Sequence, residues 1–257
     1  MALNPRLSSG ADEVIWIVGA STGIGHALAD RLAARGCKVV VSARNQTALQ
    51  AFQAQYQQGM ALALDVTDAQ AVRKGCEAIV TRYGRLDRVL YCAGVYRALR
   101  ATEFDLDLML QHQQVNYVGA LNVLAPVIPL FLAQGRGHIS LVSSVAGFSG
   151  LPQGLAYGPT KAALTHLAQT LFLDLRPKGI GVSVVHPGFV ETPLTQQNAF
   201  PMPFIQTPAQ AAAAIDSGWQ RGQFEIDFPK RFSWILKFLR VLPYSWYFPA
   251  IHKGTGL

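Results

Sequence analysis

Short apolar runs alternate with stretches of helical spacing along most of this chain, and that alternation limits its fold more than any other feature. Predicted strands cover residues 14–18, 37–41, 60–64, 87–93, 138–142 and 180–185. Predicted helices cover residues 26–35, 46–58, 68–83, 104–133 and 155–176, and a capping box at 207–210 opens another that ends at 218. Strands that alternate with helices build a parallel sheet covered on both faces. The pattern therefore predicts an α/β fold, a doubly wound parallel sheet in a single domain.

A glycine-rich turn, Gly19-Ala20-Ser21-Thr22-Gly23-Ile24-Gly25, joins the first predicted strand to the first predicted helix. Glycines at such a turn let the backbone approach a pyrophosphate, and the helix N-terminus offers N–H groups and a partial positive charge. The spacing is GxxxGxG and not the common GxGxxG, so the general dinucleotide fingerprint is not literally met. An ordinary turn is the alternative to the Rossmann-type phosphate site that we predict.

Arg44 ends the sequence Ser42-Ala43-Arg44 after the second predicted strand, where a site for NAD would carry a carboxylate. No carboxylate is present at these three positions. A planar guanidinium pairs well with phosphate, so Arg44 is predicted to bind the 2′-phosphate of NADP. A solvated loop charge is the alternative.

Tyr157 and Lys161 lie four residues apart on a predicted helix and therefore share a face. An ammonium near a phenol favours the ionised phenol, which can act as an acid or a base near neutral pH. Ser144 precedes Tyr157 by thirteen residues, and none of the other seven tyrosines has a lysine four residues on. Together these residues make the chain a candidate enzyme.

In this order the motifs resemble those of the short-chain dehydrogenase/reductase family, in its NADP-preferring form, over roughly residues 13–195. The glycine-rich turn resembles the family's TGxxxGIG element, with valine in place of the leading threonine. Cys92-Ala93-Gly94 matches the NAG element except that Cys92 replaces asparagine, which affects one structural hydrogen bond near the cofactor. Asp65, before Val66, corresponds to the aspartate that hydrogen-bonds the adenine. The Pro187-Gly188 pair, with Val190 and Thr192, resembles the PGxxxT segment that positions the nicotinamide.

The family's four catalytic positions fall on Asn116, Ser144, Tyr157 and Lys161. The resemblance implies that Tyr157 exchanges a proton with the substrate oxygen, that Ser144 orients that oxygen, and that Lys161 lowers the pKa of Tyr157 and binds the nicotinamide ribose. Asn116 is expected to hold a water that relays the proton. The cofactor-binding set that follows is Gly19, Ser21, Thr22, Gly23, Ile24, Gly25, Arg44, Asp65, Val66, Ala93, Gly94, Asn116, Tyr157, Lys161, Pro187, Gly188, Val190 and Thr192.

Half of the 257 residues are hydrophobic, which raises the question of a membrane protein. The longest charge-free stretch, 108–135, is broken by glutamines, asparagines and two prolines, so we interpret it as a buried helix. Residues 1–12 lack the apolar segment of a signal peptide, and a cytoplasmic protein is expected. The net charge of +7 is scattered, which argues against nucleic acid as a partner. Three widely spaced cysteines without a histidine cluster predict core residues and no metal site.

Two segments are less certain in role. Residues 189–207 hold Phe189, Leu194, Phe200, Met202, Phe204 and Ile205, and the family uses this region as a mobile lid over the substrate. These side chains either wall an apolar pocket or pack in the core. Residues 230–242 predict a helix with Ser233, Lys237 and Arg240 on one face and apolar residues around the rest. Three roles remain open for this segment: peripheral membrane contact through residues 230–249, a cover over the substrate pocket, or a contact between subunits.

The sequence thus predicts an N-terminal extension at 1–12, a catalytic domain at 13–223, and a hydrophobic and basic C-terminal extension of the same domain at 224–257. The expected function is NADP(H)-dependent interconversion of a hydrophobic ketone or aldehyde and its alcohol. A 3-oxoacyl thioester reductase and a non-catalytic NADP-sensing protein are the alternatives. The resemblance also implies a homodimer or homotetramer.

Overall fold

The computed structural model describes residues 2–7, 10, 12–197 and 202–255. In that part of the chain one parallel sheet has seven strands in the order β3-β2-β1-β4-β5-β6-β7. The strands are β1 Val14–Val18, β2 Lys38–Ala43, β3 Met60–Ala63, β4 Arg88–Tyr91, β5 Gly137–Val142, β6 Ile180–Pro187 and β7 Glu225–Phe228. The predicted doubly wound α/β fold is confirmed.

Helices cover both faces of the sheet, and the alternation of side chains along β1 divides the core accordingly. The helices are α1 Gly23–Ala33, α2 Gln46–Gln55, α3 Ala69–Tyr83, α4 Leu106–His112, α5 Gly119–Gln134, α6 Tyr157–Leu175, α7 Pro208–Gln220, α8 Lys230–Arg240 and α9 Tyr244–Thr255. Trp16 packs among residues of α3, α5 and α6, whereas Ile15 and Ile17 pack among residues of α1, α2 and α7. Both faces of β1 are therefore buried.

Local sequence signals account for several helix ends. The Asp68 carboxylate accepts hydrogen bonds from the first amides of α3, and Gly84 ends that helix with a left-handed backbone. The predicted capping box between Thr207 and Gln210 opens α7. The predicted helices at 26–35 and 46–58 are wrong at their ends, because α1 already begins within the glycine turn and α2 stops at Gln55.

Three elements differ from the sequence prediction, and one of them is α9, where no helix was predicted. β7 is an additional strand, paired with β6, that the sequence analysis did not predict. The long helix predicted at 104–133 contains a π-helical segment, Gln113–Val118, between α4 and α5. That widened turn carries Asn116, and such turns are frequent at functional sites.

The helical stretch Leu106–Gln134 is long and apolar enough to cross a membrane by length and composition. Its residues Val123, Val127 and Phe131 nevertheless lie in the core cluster with Trp16. This packing agrees with the interpretation as a buried helix of the domain.

Strand order reverses between β1 and β4, which pair side by side although β2 and β3 separate them in sequence. In open α/β sheets the crevice at the carboxyl ends of two such strands is the usual ligand site. The glycine-rich turn lies at the end of β1, and Cys92-Ala93-Gly94 follows β4.

Candidate active site

A cavity of about 370 Å³ opens at the crevice between the ends of β1 and β4. Eleven of the predicted cofactor residues line it: Gly19, Ser21, Thr22, Gly23, Ile24, Arg44, Asp65, Val66, Ala93, Gly94 and Thr192. The other lining residues were not assigned to the cofactor by the sequence reasoning: Ala43, Asn45, Leu64, Cys92, Val95, Val115, Pro193 and Leu194. Of these, only Leu194 was named as a candidate pocket wall. Most of these residues are apolar and adjacent in sequence to predicted cofactor residues. That adjacency was the only feature of the sequence that could have indicated them.

The floor of the cavity requires glycine at two positions of the turn. Gly19 has a φ of +93°, and a Cβ there would lie within 3.0 Å of the Ala93 backbone. A Cβ at Gly25 would fall equally close to the carbonyl of Gly19. The backbones therefore approach each other too closely for any side chain. Gly25 packs beneath the backbone of Gly19. It is not one of the described residues that line the cavity.

The N-terminus of α1 faces the cavity. Thr22 occupies the N-cap position, but its hydroxyl makes no capping hydrogen bond to the first turn of the helix. Thr22, Gly23 and Ile24 all line the cavity. Amides without a side-chain cap, at the positive end of a helix, suit the binding of a phosphate group.

Arg44 and Asp65 lie at the rim of the cavity, beyond β2 and β3. The Arg44 side chain is exposed. The Asp65 carboxylate accepts hydrogen bonds from the amide of Thr67, at 2.9 Å, and from its hydroxyl, at 2.8 Å. The Thr67 amide lowers the pKa of Asp65, and nearby Arg44 lowers it further. The rim thus pairs a fixed acceptor with an exposed cation.

The two adjacent serines after β5 have different partners. Ser143 Oγ donates to the Lys161 carbonyl at 2.7 Å, so its hydroxyl is bound to the backbone of α6. Ser144 Oγ accepts from the Ala146 amide at 3.1 Å, and Ser144 is near enough to the Tyr157 phenol to lower its pKa. The structure therefore places Ser144, and not Ser143, beside the predicted catalytic tyrosine.

Tyr157 and Lys161 share the first turns of α6, where Lys161 is buried and Tyr157 is half-buried. Lys161 Nζ lies 5.3 Å from the centre of the Tyr157 ring and donates to the Val142 carbonyl at 2.9 Å. Burial lowers the pKa of Lys161 to about 8. Burial also raises the pKa of Tyr157, against the lowering effect of nearby Ser144. Burial thus opposes the ionised phenol that the sequence analysis expects Lys161 to favour.

Asn116 connects three parts of the site from the π-helical segment. Its Oδ1 accepts from the Val95 amide at 2.8 Å, and its Nδ2 lies 3.1 Å from both the Val95 carbonyl and Thr160 Oγ1. A Cβ on Gly94 would lie 3.3 Å from Asn116 Oδ1 and 3.6 Å from Lys161 Nζ. Gly94 lines the cavity, so the cluster of Asn116, Ser144, Tyr157 and Lys161 begins directly behind its wall.

The segment after β6 covers the same end of the sheet. Pro187 and Val190 are buried, Gly188 is partly buried, and among the described residues none of the three lines the cavity. Thr192 does line it, and a Cβ on Gly23 would touch its methyl group. Of the four predicted residues in this segment, Thr192 alone lines the cavity. Pro187, Gly188 and Val190 support the backbone that carries it.

The predicted lid at 189–207 is only partly described, since Phe200 lies outside the described residues. The Gln206 amide donates to the Phe189 carbonyl, which brings the two ends of the segment together. The rings of Phe189 and Phe204 pack on Phe232 of α8, with centroids 5.5 and 6.3 Å away. Leu194 faces the cavity, whereas Phe204 and Ile205 are exposed.

The four predicted catalytic side chains and an uncapped helix N-terminus thus meet at one crevice. A model of a protein family described as short chain dehydrogenase matches residues 13–201. The chain is 36% identical over 231 residues to an uncharacterized oxidoreductase of Myxococcus xanthus, covering 88% of this chain and 91% of the relative.

Solved structures agree with this family. A short-chain dehydrogenase from Streptomyces avermitilis superposes with a TM-score of 0.78 at 25% identity, over 88% of this chain and 91% of that one. A short-chain dehydrogenase/reductase from Burkholderia phymatum, solved in complex with NAD, superposes with a TM-score of 0.81 at 22% identity. That match covers 88% of this chain and 92% of the other and concerns the fold alone.

Proposed function

The chain belongs to the short-chain dehydrogenase/reductase family, and from this premise we propose that it reduces hydrophobic ketones or aldehydes with NADPH. The reverse reaction, oxidation of the corresponding alcohols with NADP, follows the same path. Family membership makes the chain an oxidoreductase that uses a nicotinamide cofactor. The choice of NADP and the class of substrate are the proposal.

The observation that carries the proposal is the cluster behind the cavity wall. Ser144 is near enough to the Tyr157 phenol to lower its pKa, and Lys161 Nζ lies 5.3 Å from the centre of the Tyr157 ring. Asn116 is linked to the same helix through Thr160, whose hydroxyl donates to the Tyr157 carbonyl at 2.7 Å. A non-catalytic protein that only sensed NADP would have no use for this arrangement.

Each side chain is assigned one task. The Tyr157 phenol, which burial keeps protonated, donates its proton to the carbonyl oxygen during reduction. Ser144 donates a hydrogen bond that holds the oxygen in place as negative charge develops on it. Lys161 binds the nicotinamide ribose, and Asn116 holds the water that returns a proton to the site. When bound, the dinucleotide supplies the hydride for carbonyl reduction and accepts it in alcohol oxidation.

The residues at the cavity fit NADP better than NAD. The rim at the end of β2 presents Ala43, Arg44 and Asn45, so no carboxylate is available there for a ribose 2′-hydroxyl. The exposed guanidinium can instead pair with a 2′-phosphate. The Burkholderia phymatum relative was solved with NAD, so this preference rests on Arg44 and not on the fold.

An apolar substrate is proposed from the wall that the lid segment contributes. Leu194 faces the cavity, Val95 and Val115 line its other side, and Tyr96 packs edge-on against Tyr157 with ring centroids 5.1 Å apart. Such a wall favours an apolar alcohol or carbonyl compound. We further propose that the enzyme is cytoplasmic and a homo-oligomer, as expected from the family resemblance.

The function is tested by a screen of NADPH oxidation with purified protein across aldehydes, ketones and a 3-oxoacyl thioester. We expect turnover of apolar aldehydes or ketones. The Tyr157→Phe variant keeps the ring and loses the proton, so its turnover should fall on the order of 100-fold or more. NADPH binding should change little.

Tyr83→Phe is the matched control, because Tyr83 lies on α3 and its hydroxyl contacts only the Gln58 carbonyl. Its turnover should equal that of the unmodified enzyme. Exclusive turnover of the thioester would replace the proposed substrate class. Binding of NADPH with no turnover of any carbonyl compound would identify a sensing protein and reject the proposal.

A further inference from the structure

Seven large apolar side chains are exposed on the last two helices. Trp234, Ile235, Phe238 and Val241 point outward from α8 and its end, and Tyr244, Trp246 and Phe248 from α9. Each exposes between 50% and 75% of its surface. We call these seven residues the C-terminal aromatic face. Soluble proteins rarely expose apolar residues in so dense a group without a partner.

The orientation of α8 makes this face possible. The sequence places Ser233, Lys237 and Arg240 on one side of the helix, and this polar side suggests the solvent side. In the structure Ser233 and Leu236 are buried, and Lys237 is turned toward the sheet, where its Nζ lies 2.7 Å from Glu225 and 3.4 Å from Asp227. Ser233 and Lys237 thus face the protein, whereas Arg240 is exposed at the end of the helix and the aromatic side faces outward.

Both helices are held firmly in this orientation. Leu236 packs with Val145 and Phe148, which follow the catalytic serine. Tyr247 of α9 is buried, and its hydroxyl donates to the Gly150 carbonyl at 2.7 Å. The aromatic face therefore belongs to a packed element and is not the result of a loosely attached tail.

The charged residues of the segment that carries the face are all positive. From 228 to 257 the sequence contains no aspartate or glutamate. Lys230 and Lys237 pair with the carboxylates of β7. Arg231, Arg240 and Lys253 are exposed and form no ion pair with any described residue. Arg231 precedes Trp234, Ile235 and Phe238 by three, four and seven positions, so it lies on the same side of α8.

We propose that the C-terminal aromatic face docks this enzyme on an anionic lipid surface. Tryptophan and tyrosine favour the boundary between water and acyl chains, where their apolar rings are buried and their polar atoms stay hydrated. Arginine and lysine around them attract acidic lipid headgroups. At 11 and 12 residues, α8 and α9 are too short to span a bilayer, so they lie in its plane.

A second copy of this chain fits the face less well than a lipid surface does. A twofold contact brings the same patch of both subunits together. Arg231 and Arg240 would then approach their own copies, and the segment offers no carboxylate to balance them. Anionic headgroups supply that missing charge.

The first test uses the full-length protein and two vesicle types, phosphatidylcholine alone and phosphatidylcholine with phosphatidylglycerol. We expect at least about tenfold stronger co-sedimentation with the anionic vesicles, and release as salt is raised. The protein contains four tryptophans, of which Trp16 and Trp219 are buried and Trp234 and Trp246 are exposed. Brominated lipids should therefore quench the fluorescence of the exposed pair. Binding to neither vesicle type would overturn the proposal.

Two pairs of variants locate the contact. Trp234→Ser with Phe238→Ser should weaken vesicle binding at least about tenfold, whereas Leu132→Ser with Leu173→Ser, also exposed, should not. Arg231→Glu with Arg240→Glu should abolish the preference for anionic lipid, whereas Arg73→Glu with Lys74→Glu on α3 should retain most of it. If the variant with Trp234→Ser and Phe238→Ser does not fold, the variant with Arg231→Glu and Arg240→Glu still tests the proposal.

Other results favour a different occupant. If binding is lost equally in the control variants, the contact is not at this face. If the protein is a dimer that the Trp234 and Phe238 changes convert to a monomer, and it ignores vesicles, a second copy covers the face. Either result overturns the proposal.

Discussion

Arg44 is the side chain on which the choice between NADPH and NADH rests, because its neighbours Ala43 and Asn45 are uncharged. A charge-assisted hydrogen bond contributes about 1.5–3 kcal/mol. Replacing Arg44 with alanine should therefore weaken NADPH binding roughly 10- to 150-fold and leave NADH binding unchanged. Fluorescence titration of both cofactors measures this. Arg73→Ala, exposed on α3, is the control and should change neither affinity, and equal binding of NADH and NADPH by the unmodified protein would contradict the preference.

The residues of the site were largely accessible to sequence reasoning, because their spacing is local. Tyr157 and Lys161 are one helical turn apart, and the glycines of the turn are close to each other in the chain. The properties of those residues were not accessible. The high pKa of the Tyr157 phenol follows from burial by distant segments, and the separate roles of Ser143 and Ser144 follow from a backbone carbonyl on α6.

At the scale of elements, β7 and α8 are joined by charge. Glu225 is the first residue of β7. Its carboxylate oxygens lie 2.7 Å from Lys237 Nζ and 3.1 Å from His186 Nδ1. Burial raises the pKa of Glu225, but the hydrogen bond from Lys237 and the nearby His186 ring outweigh it and lower the pKa to about 2. Because the folded-state pKa is depressed, this contribution to stability is present at neutral pH. It is lost as the pH falls from about 4.5 toward about 2.

Replacing Glu225 with glutamine should lower the free energy of unfolding at pH 7 by about 1 kcal/mol. This change in free energy is smaller than the lowered pKa of Glu225 implies, because the Glu225 side chain is partly exposed and screened by solvent. The difference between the two proteins should disappear by about pH 2 to 3, as measured by urea unfolding. Amide exchange in α8 should rise in the variant, and Glu103→Gln, exposed before α4, should alter neither quantity. A difference that does not depend on pH would contradict the ion-pair explanation.

Two of the elements that the sequence analysis missed, β7 and the π-helical turn, share one cause. β7 has only four residues, and two of them are carboxylates that face lysines of α8, so no apolar run marks the strand. The π-helical turn at Asn116 adds one residue between two regular helices, and the apolar residues around it hide the change of periodicity. Both depend on partners that lie elsewhere in the fold.

At the scale of the whole molecule, cofactor binding should stabilise the fold, because the cavity joins the turn after β1 with the segments after β2, β3, β4 and β6. At a free concentration of about 100 times Kd, a ligand adds about 2.7 kcal/mol. For a domain of this size that corresponds to a rise in Tm of roughly 5–10 °C. NADPH should produce this rise in scanning calorimetry at concentrations where NADH produces a smaller one. A Tm unchanged by both nucleotides would count against the crevice as their site.

The close approach of Gly19 to Ala93 has an evolutionary consequence. Because the floor of the crevice is backbone against backbone, its width does not depend on the identity of the side chains around it. Cys92 can thus replace the asparagine of the family's pattern while the two backbones keep their contact. We expect substitutions to be tolerated mainly at the rim and the roof, where cofactor preference and substrate range can diverge independently. A chain built this way can acquire new specificities without rebuilding the backbone floor of the crevice.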